Sequence, residues 1–225
     1  MDNPRNKANL LHFTATSFKD EHDAIPNGVS VILGGMMEDG SCTLELTTST
    51  CSPLDLPCSD HEEADSRLVA HLAYCVNHLG YTRAVIHATD TDIILSCLYH
   101  LSRMSTLEEL WVQRNDKYLP LHLLMKELCK KVQMEPCEVG ATLLATYSLS
   151  GCDTVSYPFR RGKRRAAKVA LDLVGHLPNL VQFGHDSNVT EDHINEARVF
   201  WTHLYGRQGF ESLDLLRQHL FSSSK

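Results

Sequence analysis

Four short segments hold side chains whose types and spacing suit chemistry. Glu62-Glu63-Ala64-Asp65 and Asp90-Thr91-Asp92 carry paired carboxylates, and Ser150-Gly151-Cys152-Asp153 ends in another acid. Arg160-Arg161-Gly162-Lys163-Arg164-Arg165 is a run of cations with Lys168 close behind. Hard divalent cations such as Mg²⁺ or Mn²⁺ take oxygen ligands and keep part of their water, so they need a few carboxylates and no Cys/His cage. Two such ions about 3.5–4 Å apart activate an attacking water and stabilise the departing oxygen of a phosphodiester. Clustered carboxylates repel one another unless a metal offsets their charge. A nearby Arg/Lys cluster supplies the grip on a nucleic-acid backbone that acids cannot. Acids for metal and bases for phosphate together point to a metal-dependent nuclease.

Each segment alone has an ordinary structural use. Acids in a helix's first turn complement the macrodipole, and an Asp-Thr-Asp after a strand can cap the next helix. Gly151-Cys152-Asp153 suits a C-terminal turn with an Asx contact, and the basic run suits a solvated surface or a nuclear-import signal. Glu62 and Asp65, at i and i+3, share a helix face, whereas Glu63 and Asp65 do not. Either Glu62 partners Asp65, or Glu63 lies on the entry turn.

The elements that must position these groups follow from apolar periodicity. Residues 1–28 read as polar and irregular, with a weak apolar pattern around Leu10 and Phe13. Strands are expected over residues 28–35 and 43–47, joined by a turn at Glu38-Asp39-Gly40 and followed by a Ser/Thr/Cys/Pro-rich connector over 48–57. Ser59-Asp60-His61-Glu62 has capping-box spacing, and Ala64, Leu68, Leu72, Val76 and Leu79 then recur at helical intervals up to Gly80. Residues 83–89 read as a buried strand ending on Asp90, and 93–101 as a helix. A strand over 110–114 turns at Asn115-Asp116-Lys117, and helices follow over 121–132 and 139–149. Alternating strands and helices predict an α/β fold with a largely parallel sheet, in which functional residues gather at the carboxyl ends of strands. After Gly175 and Pro178, helices are expected over 190–206 and 212–220, giving a C-terminal helical extension (181–225) on a main domain (1–180).

The order of the motifs resembles the flap-endonuclease-like branch of the PIN-like nuclease superfamily. In that family an acid-x-acid pair opens a helix, an Asp-x-Asp pair ends the next strand and a Gly-x-Asp ends a later helix. A helical phosphate-binding turn with Gly and Lys-Arg-Ala follows. Here Glu63-Ala64-Asp65, Asp90-Thr91-Asp92, Gly151-Cys152-Asp153 and Gly162-Lys163-Arg164-Arg165-Ala166 take those places, over about residues 59–173. The resemblance implies a PIN-like three-layer α/β fold and Mg²⁺- or Mn²⁺-dependent cleavage of branched or single-stranded DNA, or of RNA. It makes Glu62 or Glu63, Asp65, Asp90, Asp92 and Asp153 the metal-ligand candidates. Arg160, Arg161, Gly162, Lys163, Arg164, Arg165 and Lys168 are the candidates for backbone contact. The segment is also similar to intracellular, mobile-element-related proteins with a His-Glu-Glu-Ala-Asp motif. Family members carry further acids near the N-terminus, on a first strand and before a helical arch. No acid among Asp20, Glu21, Asp23, Glu38, Asp39, Glu45, Asp55 and Asp60 ends a clear buried strand, so the N-terminal part of the site is expected to be incomplete. The alternative to an enzyme is a non-catalytic PIN-like module that binds nucleic acid or protein, a domesticated mobile-element remnant.

Composition sets the frame. The 225 residues carry a net charge of −7 and are 43% hydrophobic and 22% charged, an ordinary globular mix that disfavours coiled coil, wholesale disorder or a uniformly basic coat. Stretches such as residues 29–33 are far short of the ~20 residues that span a bilayer, and the N-terminus lacks the apolar run of a signal peptide. An intracellular and preferentially nuclear protein is therefore expected. Eight cysteines include no Cys-x-x-Cys pair. Cys58, His61, His71, Cys75 and His78 have spacing that a zinc ion tolerates, but the helix face of His71, Cys75 and His78 also carries Leu68, Leu72 and Leu79, which favours plain burial of reduced thiols and imidazoles.

Overall fold

The computed structural model describes residues 4–34, 43–56, 64–151, 161–183, 188–206, 210 and 212–223. The chain is mixed α/β and divides into two compact units, Met1–Thr82 and Arg83–Lys225.

The first unit begins with α1 (Pro4–Asp20), where an irregular segment was expected. Pro4 stands at the first helical position, where its missing N–H costs nothing. The inward face is Leu11, Thr14 and the fully buried Ala15, while Phe13 and Phe18 are exposed. A helix that turns alanine and threonine inward leaves little apolar period to read. Strands β1 (Val31–Gly34), β2 (Thr43–Leu46) and β3 (Cys51–Leu54) then form an antiparallel meander, with Leu33 paired to Leu44 and Leu46 to Cys51. Leu33, Leu44 and Leu46 form its core, flanked by Ile25, Val31 and Cys51. Strand β3 occupies the expected connector. Its Pro53 cannot donate to a ladder, and it lies on a strand that, among the described residues, pairs with β2 alone. Helix α2 (Ala64–Asn77) follows, burying Val69, Leu72 and Val76 at helical spacing. The expected turn at residues 38–40 and the capping box at 59–62 lie outside the described residues.

The second unit opens with β4 (Arg83–His87), crosses through α3 (Thr91–Leu101) and returns in β5 (Glu109–Arg114), parallel to β4. That is a βαβ crossover, and it is the single parallel pair among the described residues. The expected largely parallel sheet is not what these residues form. Asn115 adopts a left-handed φ of 52°, which asparagine tolerates. The chain thus reverses within two residues, and β6 (Lys117–Pro120) runs back antiparallel on β5. Helices α4 (Leu121–Val132) and α5 (Pro136–Leu149) follow, the first with the expected bounds. Helix α5 starts on Pro136 behind a Glu135–Glu138 capping box, three residues ahead of the expected start.

Helix α6 (Lys163–Asp172), a short 3-10 turn (Leu180–Gln182), α7 (Glu191–Leu204) and α8 (Leu213–Ser222) complete the unit. Ala166, Leu173, Leu177, Leu180, Phe200 and Leu204 form one buried cluster, so α7 is integral to the core that seats α6. No helix among the described residues is long and apolar enough to cross a membrane.

Candidate functional site

Asp90 and Asp92 lie where β4 gives way to α3. Asp90 is the N-cap of α3, in extended backbone, and its Oδ1 accepts the Asp92 backbone N–H at 3.1 Å. That bond is the first reason its carboxyl is held below the usual carboxylate range. Asp92 sits in the first turn, and Thr91 Oγ1 lies 3.4 Å from its Oδ1. Asp90 thus does the capping that the spacing allowed, Asp92 lies in the first turn where an acid complements the helix dipole, and both remain at the carboxyl end of a parallel strand. A carboxylate has about four lone-pair sites, so capping does not exhaust Asp90.

Two further elements converge on Asp92. Helix α5 packs closely on α3, because Gly140 has no side chain. A Cβ there would stand 3.0 Å from both the Leu98 carbonyl and Tyr99 Cα. Seven residues on, and so on the same helix face, Tyr147 donates its phenolic hydrogen to Asp92 Oδ1. Gly140 meets residues 98–99 and Tyr147 meets Asp92, which makes α3 and α5 antiparallel. Helix α5 then ends at Ser150, and Gly151 takes a left-handed φ of 95° that glycine adopts freely.

From α6, Lys163 donates to the Tyr147 hydroxyl, stands 3.5 Å from Asp92 Oδ1 and lies 4.2 Å over the Tyr147 ring centre. Its bond to Tyr147, then the Asp92 charge, raises its basicity. Burial first, then the hydrogen bond to Asp92, pushes the Tyr147 phenol upward. The Lys163 and Asp92 side chains are 47% and 36% exposed, so the pair is solvent-screened and contributes about 0–1 kcal/mol to stability. Its importance is positional: an ammonium occupies the face of Asp92 that a cation would seek.

The other expected residues fall as follows. Asp65 is half-buried in the first turn of α2, in the first unit. Glu62, Glu63, Asp153 and Arg160 lie outside the described residues. Arg161 is turned inward: its guanidinium is 5.3 Å from the Tyr205 ring centre and donates to the Tyr205 carbonyl. Arg165 Nε donates to the Leu204 carbonyl at 2.8 Å. Gly162 is the N-cap of α6, and Arg164 and Lys168 are exposed. Arg165, Lys168 and His203 also line a concavity in which Asp172 is the one acid among the described residues. In the first unit His71 is half-buried, and burial followed by Arg67 lowers its basicity. Burial raises the Cys75 thiol, and His78 stacks on Tyr74. Cys58 and His61 lie outside the described residues.

Among the described residues no group of three or more His, Cys, Asp or Glu gathers as a metal cluster. The donor set at the end of β4 is therefore two carboxylates. Their hard oxygens suit one Mg²⁺ or Mn²⁺, which keeps several waters, with Lys163 as the stand-in cation. Tyr147 is the site residue that sequence reasoning missed. Its one signal is its place in the last turn of the helix leading to Gly151-Cys152-Asp153. No family model, no curated protein and no solved structure matches the chain.

Proposed function

We propose that the chain is a divergent nuclease of the flap-endonuclease-like branch of the PIN-like superfamily, with the three-layer α/β fold of that class. Its substrate is branched or single-stranded DNA, or RNA. One observation carries this reading: two carboxylates, Asp90 and Asp92, at the carboxyl end of a parallel strand, within reach of a lysine from the first turn of a basic helix.

In this reading Asp90 and Asp92 hold Mg²⁺ or Mn²⁺; Glu62 or Glu63, Asp65 and Asp153 are ligand candidates on the motif resemblance alone. The bound cation supplies Lewis-acid stabilisation of charge on a phosphodiester. Asp90, held anionic by the Asp92 N–H, stays available as a ligand through neutral pH. Tyr147 orients Asp92, and Arg164 and Lys168 hold the nucleic-acid backbone, with Arg160, Arg161, Gly162, Lys163 and Arg165 as further members of that surface. An intracellular place, nuclear in preference to cytoplasmic, goes with this reading. The purified chain with Mn²⁺ is expected to cleave a branched or single-stranded substrate, and Asp90→Ala to abolish that cleavage. Equal cleavage by wild type and variant overturns the assignment.

The contact of Lys163 with Asp92 favours a second reading, a non-catalytic PIN-like module descended from a mobile element. Salt-sensitive nucleic-acid binding with no turnover in Mg²⁺ or Mn²⁺ is its expected signature.

A further inference from the structure

We infer that Lys163 is a built-in competitor for the cation on Asp92, seated there by Tyr147. This rests on the reading of Asp90 and Asp92 as a divalent-cation site. The phenol bridges the ammonium and Asp92 Oδ1, donating to the carboxylate and accepting from the lysine. The lysine is also 3.5 Å from that oxygen itself. Three elements meet in this contact: the first turn of α3, the last turn of α5 and the first turn of α6. An ammonium and a divalent ion cannot share one carboxylate face without like-charge repulsion. The ion must therefore displace Lys163, and the affinity of the site is set partly by how well the lysine holds its place. Lys163 is about half exposed, so it can swing into solvent without unfolding anything. Once displaced, it joins Arg164 and Lys168 as a third mobile cation at the amino-terminal half of α6. Ion loading thereby adds a backbone contact where nucleic acid binds.

The test is Mn²⁺ binding by isothermal titration calorimetry on the full chain, a readout independent of cleavage. Lys163→Met removes the competitor, Lys163→Arg keeps a cation in place, and Lys131→Met makes the same change of net charge on α4, away from the site. The expected result is Mn²⁺ affinity about 3- to 5-fold tighter in Lys163→Met, the scale of a released exposed ion pair. Lys163→Arg and Lys131→Met should stay near wild type. Binding by Lys163→Met with none by wild type also supports the inference. Equal affinity in wild type and Lys163→Met overturns it and leaves the cation site standing. Equal tightening in Lys131→Met overturns it in favour of a general charge effect. Failure of every variant to bind Mn²⁺ overturns both the inference and the site on which it rests.

Discussion

Asp92 Oδ1 faces a tyrosine hydroxyl, a threonine hydroxyl and a lysine ammonium, and it reaches them because Asp90 has capped the helix on which it sits. The residue that caps and the residue that is presented differ, although their types are identical. Backbone position alone separates them. A different residue, Cys97, shows how burial alone sets chemistry: its thiol, buried in α3, is pushed up to about 12. An unfolded thiol ionises near 8.5, so between those values the unfolded chain sheds a proton that the native chain keeps. Stability must then fall as pH rises through that window, by up to about 1.4 kcal/mol per pH unit from this group. Urea midpoints compared at pH 8 and pH 10 should drop for wild type and drop less for Cys97→Ala; parallel drops would refute the burial account. Cys75 and Cys129 are shifted the same way by burial and add to the slope of both proteins without distinguishing them.

At the scale of elements, the second unit depends on helices that meet through small residues and one large aromatic. Gly140 lets α5 approach α3, and Ala166 and Ala170 are the buried residues of α6. Phe200 of α7 is fully buried against Ala166, Leu173, Leu177, Leu180 and Leu204. Phe200→Ala is expected to cost about 3–5 kcal/mol, read as a lowered midpoint in chemical denaturation, and to loosen the seat of α6. A loss under about 1 kcal/mol contradicts this packing. Two helix starts in this unit, those of α7 and α8, were legible because capping is local. Thr190 opens α7 by accepting the His193 N–H, while His193 reaches back to the Thr190 N–H, and the Ser212 hydroxyl caps α8 by accepting the Leu215 N–H. Helix α1 and strand β3 were not legible. The first turns Thr14 and Ala15 inward in place of a clear apolar stripe, and the second keeps a proline in a strand that, among the described residues, pairs with β2 alone.

Across the whole molecule, a net charge of −7 coexists with five of the 21 basic residues within positions 160–165. The fold gives those cations different work. Arg161 and Arg165 are tied to the carbonyls of Tyr205 and Leu204, Lys163 is on Asp92, and Arg164 is exposed, as is Lys168 one turn further on. Under the proposed nuclease reading, nucleic-acid contact falls chiefly to the last two. The double variant Arg164→Ala/Lys168→Ala should weaken binding across sequences and reduce the slope of log affinity against log salt by about 2. Its unfolding midpoint should stay within about 0.5 kcal/mol of wild type, because exposed side chains contribute little to stability. An unchanged salt slope would remove α6 from the binding surface.

The sequence by itself determined what is local: the order of most elements, the capping residues, the end of α5 at glycine and the placing of Asp90 and Asp92 between β4 and α3. Those features depend on neighbours a few residues apart, through backbone hydrogen bonds and the 3.6- and 2-residue periods. Only tertiary structure decided that Tyr147, 55 residues from Asp92, would donate to it, that Lys163 would take a cation's place beside it, and that Arg161 would turn inward. Contacts of that kind depend on how deeply one helix seats against another and which azimuth each presents. Packing at Gly140, Ala166 and Phe200 sets both, and no spacing within a single segment encodes them.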